Sequence, residues 1–267
     1  MRSAMRRAAL LLLTLLLASS LSGCVGSQSG AYNRALELFG QEEYAEAADA
    51  FERIGTYQQA PTYAAYARGL ALFAQGDYAA AAPYFEQTQD FMFGSQRFQY
   101  CSAYVLQEAG QFAQAAAGFQ ALGEFEDAHL RYAYCAARAA EEAKDYQTAL
   151  VSYEQAGDYA DAADRLDNLQ SQIYYYAKDL KNQKQYQQAL RLFSLLGDYL
   201  ASQQETKELK DIFRDQQYDQ ADALVSQGQL QQAYDLFSGL SGYRDADSRA
   251  GELAAQLGIA VADTAEE

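Results

Sequence analysis

A repeat of about 34 residues is the feature that most constrains how this chain can fold. Its copies are anchored on an aromatic residue or Leu, and successive anchors lie 34, 34, 34, 40 and 44 residues apart. The anchors are Tyr44, Tyr78, Phe112, Tyr146, Tyr186 and Leu230. An Ala lies three residues after each anchor, an aromatic residue lies seven and thirteen residues after it, and a Tyr lies twelve residues before it. Agreement at so many positions predicts six copies of one structural unit.

The spacing within each copy predicts two helices. The anchor and the positions three and seven residues after it lie on one stripe of an α-helix. The positions twelve, nine and six residues before the anchor form a second stripe, on a preceding helix. A small residue nine positions before the anchor lets the two helices approach closely. One helical hairpin cannot bury its apolar face alone, so neighbouring copies must stack.

These positions resemble the tetratricopeptide repeat, a family of helix–turn–helix units of the same period. The match consists of the small residue in the first helix, a turn Gly such as Gly76, and the Ala and aromatic residue of the second helix. The chain departs from the family because it lacks the expected Trp and Pro and places Glu42, Lys144 and Lys184 at the turn Gly. The resemblance implies an all-α, right-handed α-solenoid of about six helical hairpins over residues 31–258.

The last two copies are longer than the others, by 6 and 10 residues. The extra stretches lack Pro and Gly, so we expect lengthened first helices at about 162–183 and 203–226. The stretch Arg244–Leu257 has one apolar and one polar face, which predicts a C-terminal capping helix. Residues 259–267 are expected to form an acidic, disordered tail.

The N-terminus has the order of a bacterial secretory leader. Three Arg residues precede an apolar run at 8–18, and small residues follow it. The segment Leu21–Cys24 resembles the lipobox of bacterial lipoproteins, in which the Cys is acylated and becomes the mature N-terminus. This resemblance implies a signal peptide at 1–23, lipidation of Cys24 and a flexible tether over 24–30. The alternative is an ordinary signal peptide in which the Cys occurs by chance.

Acidic residues dominate the chain, with 36 Asp and Glu against 20 Lys and Arg and a formal charge of -16. Nucleic acid is therefore not an expected partner, because phosphate contacts need Lys and Arg. The sequence contains no P-loop, GxGxxG, GxSxG or HExxH motif. We expect no catalytic residues, no cofactor, no metal and no small-molecule substrate.

Few remaining side chains could carry chemistry. His129, the only His, is predicted to lie on the surface. Cys101 and Cys135 occupy one repeat position and are predicted to be buried free thiols, because equivalent helices lie farther apart than the roughly 7 Å that a disulfide spans. Four Asp residues in steps of three predict a solvated helix face, with a Ca²⁺ site as the alternative. They are Asp158, Asp161, Asp164 and Asp167.

First helices of the repeat family line a concave groove, and this implies candidate partner-binding positions. They are the Tyr twelve residues before the anchor and the apolar positions eight and five residues before it in copies one to three. The candidates are Tyr32, Leu36, Phe39, Tyr66, Leu70, Phe73, Tyr100 and Tyr104. The Tyr residues either pack between repeats or stack on a peptide or glycan. The apolar positions either bind a partner or pack against an N-terminal segment or a second copy.

A further apolar stretch lies at the junction of copies two and three. Phe91, Met92 and Phe93 are consecutive, and Phe98 follows. Apolar surface of this kind marks interaction sites when it is exposed.

These features predict a non-catalytic scaffold that is lipid-anchored on the extracytoplasmic face of a bacterial membrane. We expect it to bind a peptide or helix of an envelope protein in the concave groove. The alternatives are a cell-wall glycan-binding module and a structural subunit of an envelope assembly machine.

Overall fold

A computed structural model describes residues 27–259, and in this range the protein is all-α, with thirteen helices and no strand. The all-α prediction is confirmed. The predicted signal peptide, Cys24 and the tail from residue 260 onward lie outside the described residues.

The tether prediction was wrong at its C-terminal end. Helix α1 covers residues 27–40, so the last four residues of the predicted tether are helical. The repeat explains this length. The first helices of the next three copies begin at Ala60, Gly94 and Ala128, each eighteen residues before its anchor. Helix α1 begins in nearly the same register.

The remaining helices follow in chain order. They are α2 (Tyr44–Ile54), α3 (Ala60–Ala74), α4 (Tyr78–Glu86), α5 (Gly94–Glu108), α6 (Phe112–Gln120), α7 (Ala128–Glu142), α8 (Tyr146–Ala156), α9 (Ala162–Asn182), α10 (Tyr186–Leu196), α11 (Ser202–Ser226), α12 (Leu230–Gly239) and α13 (Ala246–Leu257). Helices α9 and α11 confirm the predicted lengthening, and α13 is a helix where the capping helix was predicted.

The chain divides into two compact units, with the division between Arg165 and Leu166. In the first unit, each helix from α2 to α7 packs against the one that follows it. In the second unit, α10 to α12 do the same. Sequential neighbours are therefore also spatial neighbours within each unit, as expected for a chain of helical hairpins.

Small residues allow the two helices of a hairpin to approach closely. In copy one, Ala35 of α1 and Ala47 and Phe51 of α2 are fully buried. In copy two, a β-carbon on Gly69 would lie 2.9 Å from the ring of Phe85, which is shorter than side chains tolerate. The small position and the aromatic position thus complement each other in volume.

The turn between the two helices needs a left-handed residue in every copy. Its φ is positive at the Gly residues, such as Gly76 with φ 78°, and also at Glu42, Lys144 and Lys184, with φ of 64°, 58° and 62°. Gly adopts this conformation without a steric cost, whereas other residues are strained by about 1 kcal/mol. Glu42, Lys144 and Lys184 therefore adopt the same left-handed backbone as the turn Gly residues of the other copies.

The Tyr found twelve residues before each anchor bonds to the start of the next hairpin in three copies. The acceptor is an Asp 27 residues later, immediately before the start of α7, α9 or α13. The pairs are Tyr100 with Asp127, Tyr134 with Asp161, and Tyr218 with Asp245. Each hydroxyl donates to a carboxylate, and such charge-assisted hydrogen bonds are stronger than neutral ones. We name this contact the Tyr–Asp link.

An Arg four residues after the Asp accompanies each link. The Nε atoms of Arg131 and Arg165 each lie 2.8 Å from the carboxylate of Asp127 and Asp161 respectively. In the link of copy six, the equivalent Arg249 lies within 3.5 Å of the Tyr218 hydroxyl. Tyr, Asp and Arg thus form one hydrogen-bonded group at the junction of successive hairpins.

Arg131 shows how far these groups are buried. It is only 8% exposed, and its guanidinium lies 5.4 Å from the ring centre of Tyr100 and 5.1 Å from that of Tyr104. Aromatic faces and the Asp127 carboxylate replace the water that this cation loses.

Two carboxylates of the links, Asp161 and Asp245, have pKa values below the ordinary value of Asp. Burial raises the pKa of Asp161, but the hydrogen bonds from Tyr134 and Arg165 outweigh it and hold the pKa below its ordinary value. The hydrogen bond from Tyr218 likewise lowers the pKa of Asp245. Both carboxylates therefore favour the folded state while they are ionised.

Removing one hydroxyl from a Tyr–Asp link tests its contribution to stability. We expect Tyr134→Phe to lower the free energy of unfolding by about 0.5–1.5 kcal/mol, because Asp161 loses a hydrogen bond. Urea unfolding measures the change. Tyr132→Phe, on the same helix at a half-buried Tyr, is the matched control and should change stability less. Equal losses in both variants would contradict the role of the link.

The comparison of wild type with Tyr134→Phe also predicts how the free energy of unfolding depends on pH. The folded-state pKa of Asp161 is lowered, so its contribution is complete above about pH 4 and is lost as the pH falls through the folded-state pKa. Tyr134→Phe removes part of this contribution in advance. The stability difference between wild type and Tyr134→Phe should therefore shrink below about pH 4. A difference that grows on acidification would contradict the assignment.

Candidate functional site

The structure does not present the predicted groove residues as an open groove. Tyr32, Tyr66, Leu70 and Tyr100 are buried, with exposures of 7%, 2%, 7% and 1%. Leu36, Phe39, Phe73 and Tyr104 are half-buried. For the Tyr residues this supports the packing interpretation, because a buried ring cannot stack on a ligand. The burial of these Tyr rings likewise does not support stacking on a glycan.

The half-buried apolar positions fill the space between successive hairpins. Phe39 of copy one lies 5.4 Å from Tyr63 and 6.2 Å from Tyr66 of copy two. Phe73 of copy two lies 5.4 Å from Tyr100 of copy three. Ring contacts at these centre-to-centre distances stabilise packing. The apolar residues eight and five positions before the anchor in copies one to three are therefore packing residues of the first unit.

Two exposed apolar side chains of the first unit are consecutive in the loop that joins α4 to α5. Met92 is 53% exposed and Phe93 is 62% exposed, while Phe91 is half-buried. We call Phe91, Met92 and Phe93 the apolar loop. Phe91 contacts Tyr63 and Tyr66, at 4.9 Å and 5.3 Å, and so anchors the loop to the preceding helix α3.

Phe93 occupies the position that holds the Asp of the Tyr–Asp link in three other copies. Asp127, Asp161 and Asp245 stand at this position in those copies. In copy two the Tyr66 hydroxyl has no carboxylate here. It accepts hydrogen bonds from the Phe93 backbone N–H at 3.3 Å and from Arg97 at 3.0 Å. Copy two has thus exchanged a structural carboxylate for an exposed aromatic ring.

Arg97 takes the place of the Arg that accompanies each link, and it supports the ring of Phe93. Its guanidinium lies 5.7 Å from the ring centre of Phe93 and 5.8 Å from that of Tyr66. Its Nε is buried and has no hydrogen-bond partner. The cation is therefore held by aromatic faces without the carboxylate that its counterparts have.

The backbone fixes the shape of the apolar loop. Met92 has a φ of 47°, and the equivalent residue of every other copy is also left-handed, for example Glu126 with φ 51°. A β-carbon on Gly94 would lie 1.9 Å from the carbonyl oxygen of Thr88, so only Gly lets α5 start this close to the end of α4. A loop restrained in this way loses little conformational entropy on binding.

Sequence reasoning noted the apolar stretch but took the binding residues from other columns. The missing signal was the column fifteen residues after each anchor, which holds Asp in copies three, four and six, and Gln59, Phe93 and Ala201 in copies one, two and five. Among the copies without the carboxylate, copy two alone places a large exposed aromatic side chain at this position.

The other chemistry-bearing residues take structural or surface positions. Cys101 and Cys135 are buried free thiols, as predicted, and burial raises the pKa of each to about 12. His129 is exposed. Asp161 belongs to a Tyr–Asp link. Within residues 27–259, no group of three or more His, Cys, Asp or Glu side chains is arranged to hold a metal ion.

No protein-family model matches this chain, and no curated protein matches it. None of the helices between residues 27 and 259 combines the length and apolar character needed to cross a membrane.

Restoring the carboxylate of copy two tests whether Phe93 costs stability. We expect Phe93→Asp to raise the free energy of unfolding by about 0.5–1.5 kcal/mol, because Tyr66 and Arg97 gain the acceptor that Tyr100 and Arg131 have. Urea unfolding measures the gain. In a Tyr66→Phe background the same substitution should gain less, which a double-mutant cycle detects. A loss of stability in both backgrounds would contradict the equivalence of Phe93 and Asp127.

Proposed function

We propose that this protein is a non-catalytic, lipid-anchored scaffold on the extracytoplasmic face of a bacterial membrane. It binds an envelope protein through the apolar loop. The observation that carries the proposal is the exposure of Met92 and Phe93, because Phe93 stands where copies three, four and six hold a structural carboxylate. Exposed aromatic and Met side chains on a restrained loop are typical of interaction sites.

The partner should offer an apolar pocket with a basic rim. A Phe side chain anchors an interface best when it fills a pocket from which water is excluded. Glu86 and Asp90 are exposed and shortly precede the loop, and the whole chain carries a formal charge of -16. Complementary charge would steer a basic partner towards this surface and disfavour acidic ones.

The remaining parts of the proposal rest on resemblance. The repeat columns support a tetratricopeptide-like solenoid, which suits a scaffold because each hairpin contributes a separate surface. The leader and the lipobox-like segment before Cys24 support anchoring, since two or more acyl chains hold a protein firmly on a bilayer.

Affinity capture from solubilised envelope membranes tests the binding surface. We expect wild-type protein to retain a partner, and Phe93→Asp to reduce its recovery by about tenfold or more, as for loss of an aromatic anchor. Val151→Asp is the matched control, because Val151 is also exposed and apolar and lies in the first unit. It should retain the partner.

The expected stability of Phe93→Asp makes this test informative. A variant that folds as well as wild type but loses the partner has lost a contact rather than its fold. Equal recovery with wild type, Phe93→Asp and Val151→Asp would contradict the proposed surface.

The anchor is tested separately. We expect Cys24→Ala to move the protein from the membrane fraction to the soluble fraction of cells, because no acyl chain can then be attached at that position. Metabolic labelling with a palmitate analogue should mark wild type and not the variant. A labelled or membrane-retained Cys24→Ala protein would contradict anchoring at this residue.

A further inference from the structure

The second unit contains a polar groove between α10 and α11. Its volume is about 510 Å³, which is within the range of small-molecule sites. The wall is formed by four Gln side chains and one Arg, with the ring of Phe213 and the side chain of Leu190 as apolar surface. The polar residues are Gln187, Arg191, Gln216, Gln217 and Gln220.

The repeat register relates this groove to a smaller pocket of about 400 Å³ beside α2 and α3. Between α2 and α3, the same two columns hold Ala48 and Ala64, which are 0% and 6% exposed. Between α10 and α11 they hold Leu190, which is half-buried, and Gln216, which is exposed. Ala64 and Ala65 line the pocket beside α2 and α3, whereas the equivalent residues of α11, Gln216 and Gln217, bring hydrogen-bonding groups to the groove.

An ion pair that joins α2 to α3 has no counterpart between α10 and α11. Arg68 on α3 reaches Asp49 on α2 at 2.6 Å. The equivalent positions on α11 and α10 hold Gln220 and Arg191, which make no hydrogen bond or ion pair with each other. Polar side chains without a partner therefore lie across this junction, and their hydrogen-bonding groups are available to a ligand.

The groove glutamines have free amides. Among the described residues, none of the four makes a side-chain hydrogen bond. Some glutamines of the second unit are bonded, for example Gln183 to Asp179 at 2.6 Å and Gln231 to Asp235 at 3.0 Å, whereas the four in the groove are distinguished by lying together around one concavity. Each primary amide offers two donors and one acceptor group, so the groove can pair with a ligand that both donates and accepts.

The lining also has an unusual charge for this acidic chain. As far as the described lining extends, it carries no carboxylate and a single cation, Arg191, which has no ion-pair partner. The groove therefore suits a ligand that is rich in hydrogen-bonding groups but carries little charge.

We propose that the groove between α10 and α11 binds a short stretch of neutral glycan. Sugar hydroxyls donate and accept hydrogen bonds, as the glutamine amides do, and the C–H face of a sugar ring packs on Phe213 and Leu190. An extended peptide is less suited, because it needs a long edge with alternating side-chain pockets. The groove is a single concavity beside two helices.

This glycan site is independent of the apolar loop. The loop belongs to the first unit and the groove to the second. Phe93→Asp should therefore leave glycan binding unchanged, and a groove variant should leave partner capture unchanged. Failure of one proposal does not imply failure of the other.

Calorimetric titration of the purified full chain with tri-N-acetylchitotriose and maltotriose tests the proposal. The detergent must lack a sugar headgroup. We expect at least one saccharide to bind with a dissociation constant of about 1 mM or tighter. NMR signals of the Phe213 ring should shift on addition of the same saccharide.

The groove variant is Gln217→Ala combined with Gln220→Ala, which should weaken binding by about tenfold. The control is Gln188→Ala combined with Gln227→Ala, two exposed glutamines of the second unit outside the groove. It should bind as wild type does. The proposal is overturned if neither saccharide binds up to about 10 mM, or if both variants bind equally. Binding of a tri-alanine peptide in place of the saccharides would assign the groove to peptides and also overturn it.

Discussion

The hydrogen bond between the repeated Tyr and an Asp of the next hairpin is the interaction on which the rest of the account depends. It ties the first helix of one copy to the start of the first helix of the next, at Tyr100, Tyr134 and Tyr218. The Arg that follows each Asp adds a second bond to the same group. Stacked hairpins contact only their neighbours, so bonds at each junction determine how well the copies hold together.

Copies one, two and five lack this Asp, and in copy two its replacement by Phe93 places an exposed ring on the surface. Tyr66 and Arg97 remain, but Phe93 replaces the carboxylate between them. Compared with the copies that have Asp, Phe93 removes a charge-assisted hydrogen bond and exposes an apolar side chain. Both differences are unfavourable for the protein in the absence of a partner. The proposed binding of a partner would account for an exposed ring on such a restrained backbone.

The sequence was sufficient to predict the helices, including the lengthened α9 and α11, because helical periodicity and the repeat register agree in every copy. It was insufficient to identify the partner-binding residues, which were predicted to lie in a concave groove of copies one to three. The positions of Phe39 and Phe73 are variable and apolar, which indicates a partner surface, yet the next hairpin covers them. Whether a neighbouring copy buries a column depends on the angle between hairpins, and residue spacing within one copy does not specify that angle.

Photo-crosslinking in living cells from residue 93 tests the central claim most directly. A benzoylphenylalanine at position 93 keeps the aromatic ring and reacts only with groups that it touches. The account predicts a discrete adduct with one envelope protein from position 93 and no such adduct from position 151, which is also exposed and apolar. No adduct at position 93, or the same adducts from both positions, would contradict it.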